Sequence, residues 1–216
     1  MKKINMVDLN GQYRKIRWQV NREMKKVINS SSFINGPVVK EFQNNLQQYL
    51  DVKHVIPCAN GTDALQIALM ALDLKRGDEV ITTNFSFAST IEVILLLGLK
   101  PVVVDIDSRT FNINPSLIQD KITDRTRAII PVHLFGQSCR MEEILEIANK
   151  NNLQVIEDNA QALGSKYKFS NFKVASGCGE TASIRSEIIR PGVSAETTNA
   201  DKPFAPVPSP VLAKTL

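Results

Sequence analysis

The chain has 216 residues, enough for one substantial core, and its apolar share of 43% and charged share of 22% are ordinary for a globular protein. Its net charge of +4 is dispersed without a block of Lys and Arg, so the composition argues against a nucleic-acid-binding surface. The chain start has no signal-peptide pattern, and the most apolar stretch outside the strands, 91–99, is too short to span a bilayer. Three widely spaced cysteines indicate neither a disulfide framework nor a metal motif, so we expect a cytoplasmic protein without membrane contact.

Two helices are predicted in the N-terminal part of the chain. Apolar residues at helical spacing predict a helix over 12–29, and a second helical pattern follows the turn at Gly36-Pro37. A short strand is predicted at 54–57. Residues 60–63 then open an Ala- and Leu-rich helix that extends to residue 72.

From residue 79 onward, predicted strands and helices alternate. The strands are 79–83, 102–105, 126–132 and 153–156, and the helices between them are 89–97, 114–122 and 141–149. This alternation predicts an α/β fold with a mainly parallel, doubly wound sheet. Ligands of such sheets bind at the carboxyl ends of the strands.

The pattern changes after residue 172. The stretch 173–216 has little apolar periodicity, and its Pro-rich segment 203–210 (P-F-A-P-V-P-S-P) cannot continue a helix or a sheet. We therefore expect an incomplete α/β domain over 1–172 and an unrelated, disordered tail over 173–216.

The segment Asn60-Gly61-Thr62-Asp63 lies where a predicted strand passes into a helix. Amides at a helix N-terminus bind anions, and Gly lets the backbone approach a phosphate closely. The alternative is an ordinary N-cap, since Asn, Thr and Asp are common there. The segment lacks the Gly-Lys-Ser/Thr of a Walker loop and the pattern G-x-G-x-x-G.

Two phenylalanines and a histidine follow other predicted strands. Phe85 and Phe87 flank Ser86, and either ring can lie against a planar ligand or belong to the core under a loop. His133 can be a base, a ligand contact or a hydrogen-bonded structural residue. Because no second His lies near His133 in the sequence and no metal-ligand spacing is present, the sequence favours a wall of the substrate site over a metal ligand.

Asp158 and Gln161 follow the apolar strand 153–156. At this spacing a carboxylate and an amide can face the same ligand, although surface pairing with a lysine is an alternative. A carboxylate beside a heteroaromatic nitrogen keeps that nitrogen protonated, and the amide can meet a neighbouring ring oxygen.

Four stretches occur in a fixed order: 60–65 (N-G-T-D-A-L), 85–90 (F-S-F-A-S-T), 131–137 (P-V-H-L-F-G-Q) and 157–164 (E-D-N-A-Q-A-L-G). Together they resemble the sugar-nucleotide aminotransferases of the DegT/DnrJ/StrS type, which use pyridoxal phosphate and have the aspartate aminotransferase fold. The resemblance covers about residues 1–172 and suggests the branch that aminates 3-oxo sugars. It implies an incomplete large domain of a fold-type I pyridoxal-phosphate enzyme.

The resemblance assigns five residues to the cofactor. It implies that Gly61 and Thr62 hold the phosphate, Phe87 stacks on the pyridine ring, Asp158 pairs with the ring nitrogen and Gln161 approaches the phenolic oxygen. It also implies a nucleotide-sugar substrate, glutamate as the amino donor, and a homodimer.

The catalytic lysine of the family has no counterpart at the expected place. In relatives an S-F-x-x-S-K-type segment follows the Asp by roughly thirty residues and supplies the lysine that forms the Schiff base, whereas no lysine occurs here between Lys173 and Lys202. We therefore expect no covalent cofactor attachment and little or no transamination by this chain alone. The alternatives are a non-catalytic module that binds the cofactor or a sugar nucleotide, and a degraded gene product.

Overall fold

The computed structural model describes residues 7–169 and 182–183, and these residues form an α/β protein with a parallel sheet. The predicted disordered tail, apart from residues 182–183, lies outside the described residues. The chain divides into two compact units, residues 1–46 and 47–216. Within the described residues, no helix is long and apolar enough to cross a bilayer.

The N-terminal part of the chain contains the two helices that the apolar spacing predicts. Helix α1 (Leu9–Ser30) begins at Asp8, whose side chain accepts a hydrogen bond from the Gly11 amide at 2.9 Å. It ends at Ser31, whose φ of 50° is left-handed and stops the helix. Helix α2 (Pro37–Leu50) starts with proline, which suits the first helical position because its missing N–H has no intrahelical acceptor there.

The second unit is built on a four-stranded parallel sheet. Its strands are β1 (Glu79–Thr83), β2 (Lys100–Val104), β3 (Thr126–Ile130) and β4 (Gln154–Val155), in the spatial order β2-β1-β3-β4. The chain leaves β2 on one side of β1 and returns as β3 on the other side. The strand order therefore reverses at β1 and β3, and the crevice at such a switch point is where open sheets bind ligands.

Helices cover both faces of this sheet. They are α3 (Gly61–Met70), α4 (Ser89–Leu96) and α5 (Met141–Lys150). Because side chains alternate along a strand, Val80 and Ile130 pack with α3 and α4, whereas Ile81 and Ile129 pack with α5. The doubly wound arrangement predicted from the alternation is thus confirmed. Residues 166–167 (β5) and 182–183 (β6) form a separate antiparallel pair.

Two predicted elements differ from the structure. The predicted strand 54–57 is not a strand: Val55 is buried but Ile56 is 43% exposed, and the segment has no ladder partner among the described residues. The predicted helix 114–122 is two 3₁₀ turns, Pro115–Leu117 and Gln119–Lys121. The hydrogen bonds from the Ile118 amide to the Pro115 carbonyl and from the Lys121 amide to the Ile118 carbonyl span three residues, as in a 3₁₀ turn, and Ile118 itself is fully buried.

Candidate functional site

The carboxyl ends of β3 and β4 are joined by the backbone of Asp158. The Asp158 amide donates to the Pro131 carbonyl at 2.9 Å, and the His133 amide donates to the Asp158 carbonyl at 3.1 Å. Asp158 and Val132 form an isolated parallel bridge that extends the pairing of the two strands. The sheet itself therefore fixes the backbone from which the Asp158 carboxylate projects.

The Asp158 carboxylate is buried, with 5% of the residue exposed. The Thr90 hydroxyl donates to its Oδ2 at 2.8 Å, and the Ala160 amide donates to its Oδ1 at 3.3 Å. Within the described residues, no Lys, Arg or His forms an ion pair with it. Burying a carboxylate without a cation is costly, so this position suits a ligand that brings a positive charge.

Asn159, the next residue, is also buried, and both polar atoms of its side chain lack a hydrogen-bond partner within the part of the chain that the structure describes. An unpaired buried amide costs free energy. The Asn159 Nδ2 can therefore donate a hydrogen bond to a ligand, and the Oδ1 can accept one.

His133 and Glu157 form a buried pair beside Asp158. The His133 Nε2 lies 2.7 Å from the Glu157 Oε2, and the Cys139 amide donates to the His133 Nδ1 at 3.1 Å. Since Nδ1 accepts a hydrogen bond, the proton resides on Nε2 and is donated to Glu157. The ring is fully buried and both nitrogens are hydrogen-bonded, which favours the hydrogen-bonded structural role among the three that the sequence left open. That His133 forms a wall of the substrate site stays a prediction.

The Cys139 thiol completes this buried group. Burial, and next the nearby Glu157 carboxylate, raise the pKa of the Cys139 thiol. The protonated thiol donates to the Val132 carbonyl at 3.1 Å. These contacts stabilise the strand end and present no reactive group.

Gln161 lies at the surface next to the loop that follows β3. Its Oε1 accepts a hydrogen bond from the Phe135 amide at 2.7 Å. With the oxygen engaged, the Nε2 amide group is the part of the side chain left to bind a ligand, and it is a donor. A donor is what a phenolic oxygen requires, so the contact is compatible with the role predicted for Gln161.

The phenylalanines of this edge are exposed. Phe87 is 73% exposed and Phe85 is 45% exposed, so neither ring belongs to the core, which was the alternative reading. Phe85 contacts Phe111, with ring centroids 6.0 Å apart, and Phe111 contacts Phe135 at 6.5 Å. Exposed aromatic faces at the same edge of the sheet as a buried acid suit a planar ligand.

Phe111 and Phe135 have left-handed backbones, with φ of 60° and 56°. This conformation is rare for bulky residues, and it persists only where surrounding contacts impose it. Here Asn112 imposes it: its Oδ1 accepts from the Leu134 amide and its Nδ2 donates to the Gln137 carbonyl, both at 3.0 Å. The sequence alone did not identify Phe111 or Asn112, because this clamp joins positions over 20 residues apart.

The N-terminus of α3 retains free amides. Asn60 acts as the N-cap, with its side chain accepting from the Asp63 amide at 2.9 Å, so the capping interpretation is correct for that residue. The amides of Gly61 and Thr62, the first two of the helix, have no protein acceptor among the described residues. Both can still bind an anion.

The structure brings Asp158 together with Thr90, and Gln161 together with Phe135, but no hydrogen bond joins these groups to Gly61 and Thr62. Thr90 belongs to the motif 85–90, and the sequence assigns it no role. Apolar spacing predicts that Thr90 is buried on the side of the helix that faces the sheet. It does not predict the contact with Asp158, which is 68 positions away.

Residues 14–184 match the family model described as DegT/DnrJ/EryC1/StrS aminotransferase family. The match extends beyond residue 172, where the sequence pattern places the domain boundary. Among curated proteins, the chain is 46% identical over 165 residues to the UDP-2-acetamido-2-deoxy-3-oxo-D-glucuronate aminotransferase of Pseudomonas aeruginosa. That alignment covers 76% of this chain and 46% of the relative, so the chain spans about half the length of the curated relatives it matches.

Solved structures give the same assignment. DesV of S. venezuelae superposes with a TM-score of 0.75 and 31% identity, over 77% of this chain and 45% of DesV. NtdA of Bacillus subtilis, solved with the cofactor PMP bound, superposes with a TM-score of 0.70 and 37% identity, over 76% of this chain and 38% of NtdA.

Proposed function

The chain belongs to the DegT/DnrJ/EryC1/StrS aminotransferase family, and from this premise we propose that it carries the cofactor-binding part of an enzyme that aminates a keto sugar nucleotide. The amino donor is glutamate, and the product is an amino sugar for surface polysaccharide or related biosynthesis. The relative from P. aeruginosa is named for an oxo sugar nucleotide, which supports this substrate class.

One observation carries the proposal: Asp158 is a buried carboxylate with no cation beside it in the described part of the chain. A protonated pyridine nitrogen supplies the missing positive charge. Pyridoxal phosphate, when bound, supplies an electron sink for the carbon next to the transferred amine, and the protonated ring nitrogen sustains it.

The residues present fit this cofactor. Gly61 and Thr62 offer unpaired amides to a phosphate, and Gln161 offers an amide donor to the phenolic oxygen. Phe87 has an exposed ring that can cover the pyridine face. The chemistry of this donor set therefore matches an anionic, planar, cation-bearing ligand.

We propose that the chain binds this cofactor without a covalent bond and transfers few or no amino groups on its own, because no lysine lies between Lys173 and Lys202. The same observation favours a second candidate, a non-catalytic module that retains the cofactor or sugar-nucleotide site. Both candidates predict that this chain alone consumes little or no glutamate, and they differ in whether its site belongs to an enzyme or to a module that only binds.

The test is a titration of the purified chain with pyridoxamine phosphate and pyridoxal phosphate, followed by absorbance and calorimetry. We expect saturable binding of both, no lysine fixed by borohydride in peptide mass spectra, and no 2-oxoglutarate from glutamate above the rate without protein. Turnover of glutamate rules out the non-catalytic candidate. An aggregated chain that binds neither compound contradicts the proposal and indicates a degraded gene product.

A homodimer and a cytoplasmic location complete the proposal. The dimer rests on the family resemblance, and the location rests on the three widely spaced cysteines. Light scattering of the purified chain tests the dimer: a mass of 24.0 kDa, that of one chain, contradicts it.

A further inference from the structure

A chain of two hydroxyl groups leads to the Asp158 carboxylate from the β1–α4 connection. Thr90, in the first turn of α4, is fully buried, and its Oγ1 lies 2.8 Å from the Asp158 Oδ2. The Ser86 Oγ lies 3.2 Å from the same Thr90 oxygen. Neither hydroxyl is among the groups that we propose to contact the cofactor.

The direction of these hydrogen bonds follows from the chemistry of the groups. A carboxylate can only accept, so the Thr90 proton is donated to Asp158. The Thr90 oxygen must then accept in its contact with Ser86, and Ser86 donates. Consecutive hydrogen bonds of the same direction polarise and strengthen one another.

This arrangement makes the two carboxylate oxygens unequal. Oδ2 receives a short bond from a buried hydroxyl, whereas Oδ1 receives, within the described part of the chain, only the 3.3 Å contact from the Ala160 amide. Oδ1 therefore retains most of its capacity to accept. Since Thr90 lies on a helix packed against the sheet and Asp158 on a strand end, the bond also fixes the rotation of the carboxylate.

We propose that Thr90 is a positioning residue, assisted by Ser86, that holds the Asp158 carboxylate with Oδ1 directed to the pyridine nitrogen of the cofactor. This inference rests on the proposed function. Without the Thr90 hydroxyl the carboxylate can rotate, which lengthens its contact with the ring nitrogen and weakens the preference for the protonated ring.

The test uses pyridoxamine phosphate labelled with ¹⁵N in the ring, bound to the purified chain. The ¹⁵N chemical shift across a pH titration reports the protonation of that nitrogen directly. Thr90→Val keeps the shape of the side chain and removes the hydroxyl, and Thr90→Ser restores the hydroxyl. We expect the valine variant to bind about tenfold more weakly and to lower the pKa of the ring nitrogen by about one unit, and the serine variant to resemble the wild type.

Thr82→Val is the matched control. Thr82 is also fully buried, and its hydroxyl donates to the Ile130 carbonyl at 2.9 Å, inside the sheet. The Thr82→Val variant also loses a buried hydroxyl. We therefore expect a loss of stability similar to that of Thr90→Val and an unchanged pKa of the ring nitrogen. A Thr90→Val variant that titrates like the wild type, or a Thr82→Val variant that shifts as far, overturns the positioning role.

Failure of the proposed function looks different. In that case the wild-type chain shows no saturable binding of pyridoxamine phosphate, and the positioning role falls with it. If the wild type binds and only the ring titration of Thr90→Val is normal, the cofactor site stands and the inference about Thr90 alone is wrong.

Discussion

The two ends of the parallel sheet each bury a carboxylate, and they treat it in opposite ways. At the amino end Glu79, 2% exposed, receives hydrogen bonds from Thr123 at 2.5 Å and Lys100 at 2.9 Å, and Arg125 lies 3.5 Å away. At the carboxyl end Asp158, 5% exposed, has one hydroxyl and one amide and, among the described residues, no cation.

This difference separates an acid with a structural role from an acid that we propose to bind a ligand. Glu79 ties the starts of β1, β2 and β3 together, and its charge is compensated within the protein. No cation of the described residues compensates the Asp158 charge, so a cationic ligand can supply the compensation. Burial of an acid does not by itself indicate a ligand-binding site. Burial without a compensating cation is the more reliable sign of one.

The largest expected effect is on cofactor binding by Asp158→Asn. Removing the charge opposite a protonated ring costs about 3 kcal/mol, so the affinity for pyridoxamine phosphate falls on the order of a hundredfold. Because the free protein loses an uncompensated buried charge, its free energy of unfolding stays the same or rises. Calorimetric titration and urea unfolding measure the two quantities, and a loss of stability without loss of binding contradicts the contrast.

Glu79→Gln should give the reverse result. It replaces the carboxylate shared by Lys100 and Arg125 with a neutral amide that keeps only one acceptor oxygen, so we expect the free energy of unfolding to fall by about 2 kcal/mol. Affinity for pyridoxamine phosphate should stay within twofold of the wild type, since the residue lies at the other end of the sheet. Weaker binding in a fully folded variant contradicts the separation of the two ends.

The pH dependence of stability sharpens the same comparison. The hydrogen bond from Thr123, then that from Lys100, hold the pKa of the Glu79 carboxyl below its ordinary 4.5. A lowered folded pKa contributes stability that is present above the unfolded pKa and is lost as pH falls through the folded pKa. The stability gap between wild type and Glu79→Gln should thus be constant above pH 4.5 and shrink below it, as urea unfolding at several pH values can show.

The smallest expected effect is that of Lys100→Met. The Lys100 side chain is 57% exposed and solvent screens its charge, so its loss should cost no more than about 1 kcal/mol. Thr123 and Arg125 continue to contact Glu79 in this variant. A cost as large as that of Glu79→Gln, measured in the same unfolding assay, means that Lys100 alone compensates the buried charge.

Much of the fold was predictable because its elements carry local signals. The strands at 79–83 and 126–130 and the helices at 89–96 and 141–150 follow from apolar periodicity and turn residues. The segments 54–57 and 114–122 were not predictable, because they are short and their conformation depends on distant packing.

The residues of the candidate site likewise fall into those that local sequence signals place and those that distant contacts place. Asp158 and Gln161 were predictable because a strand end places them, and Gly61 and Thr62 because a helix start does. The buried pair of His133 and Glu157 could not be predicted from the sequence. No sequence pattern indicates the direction in which a histidine at the end of a strand points.

The sequence by itself determined which residue types stand at the ends of the strands, and through its ordered motifs it determined the family. Only the tertiary structure decided which of the buried acids has no cation beside it among the described residues, and which hydroxyl donates to that acid. Thr90 and Asp158 are 68 positions apart in the sequence. Their contact depends on the spatial order of the strands, β2-β1-β3-β4. Local sequence sets conformation over a few residues, whereas the charge balance of a buried site depends on everything that folds around it.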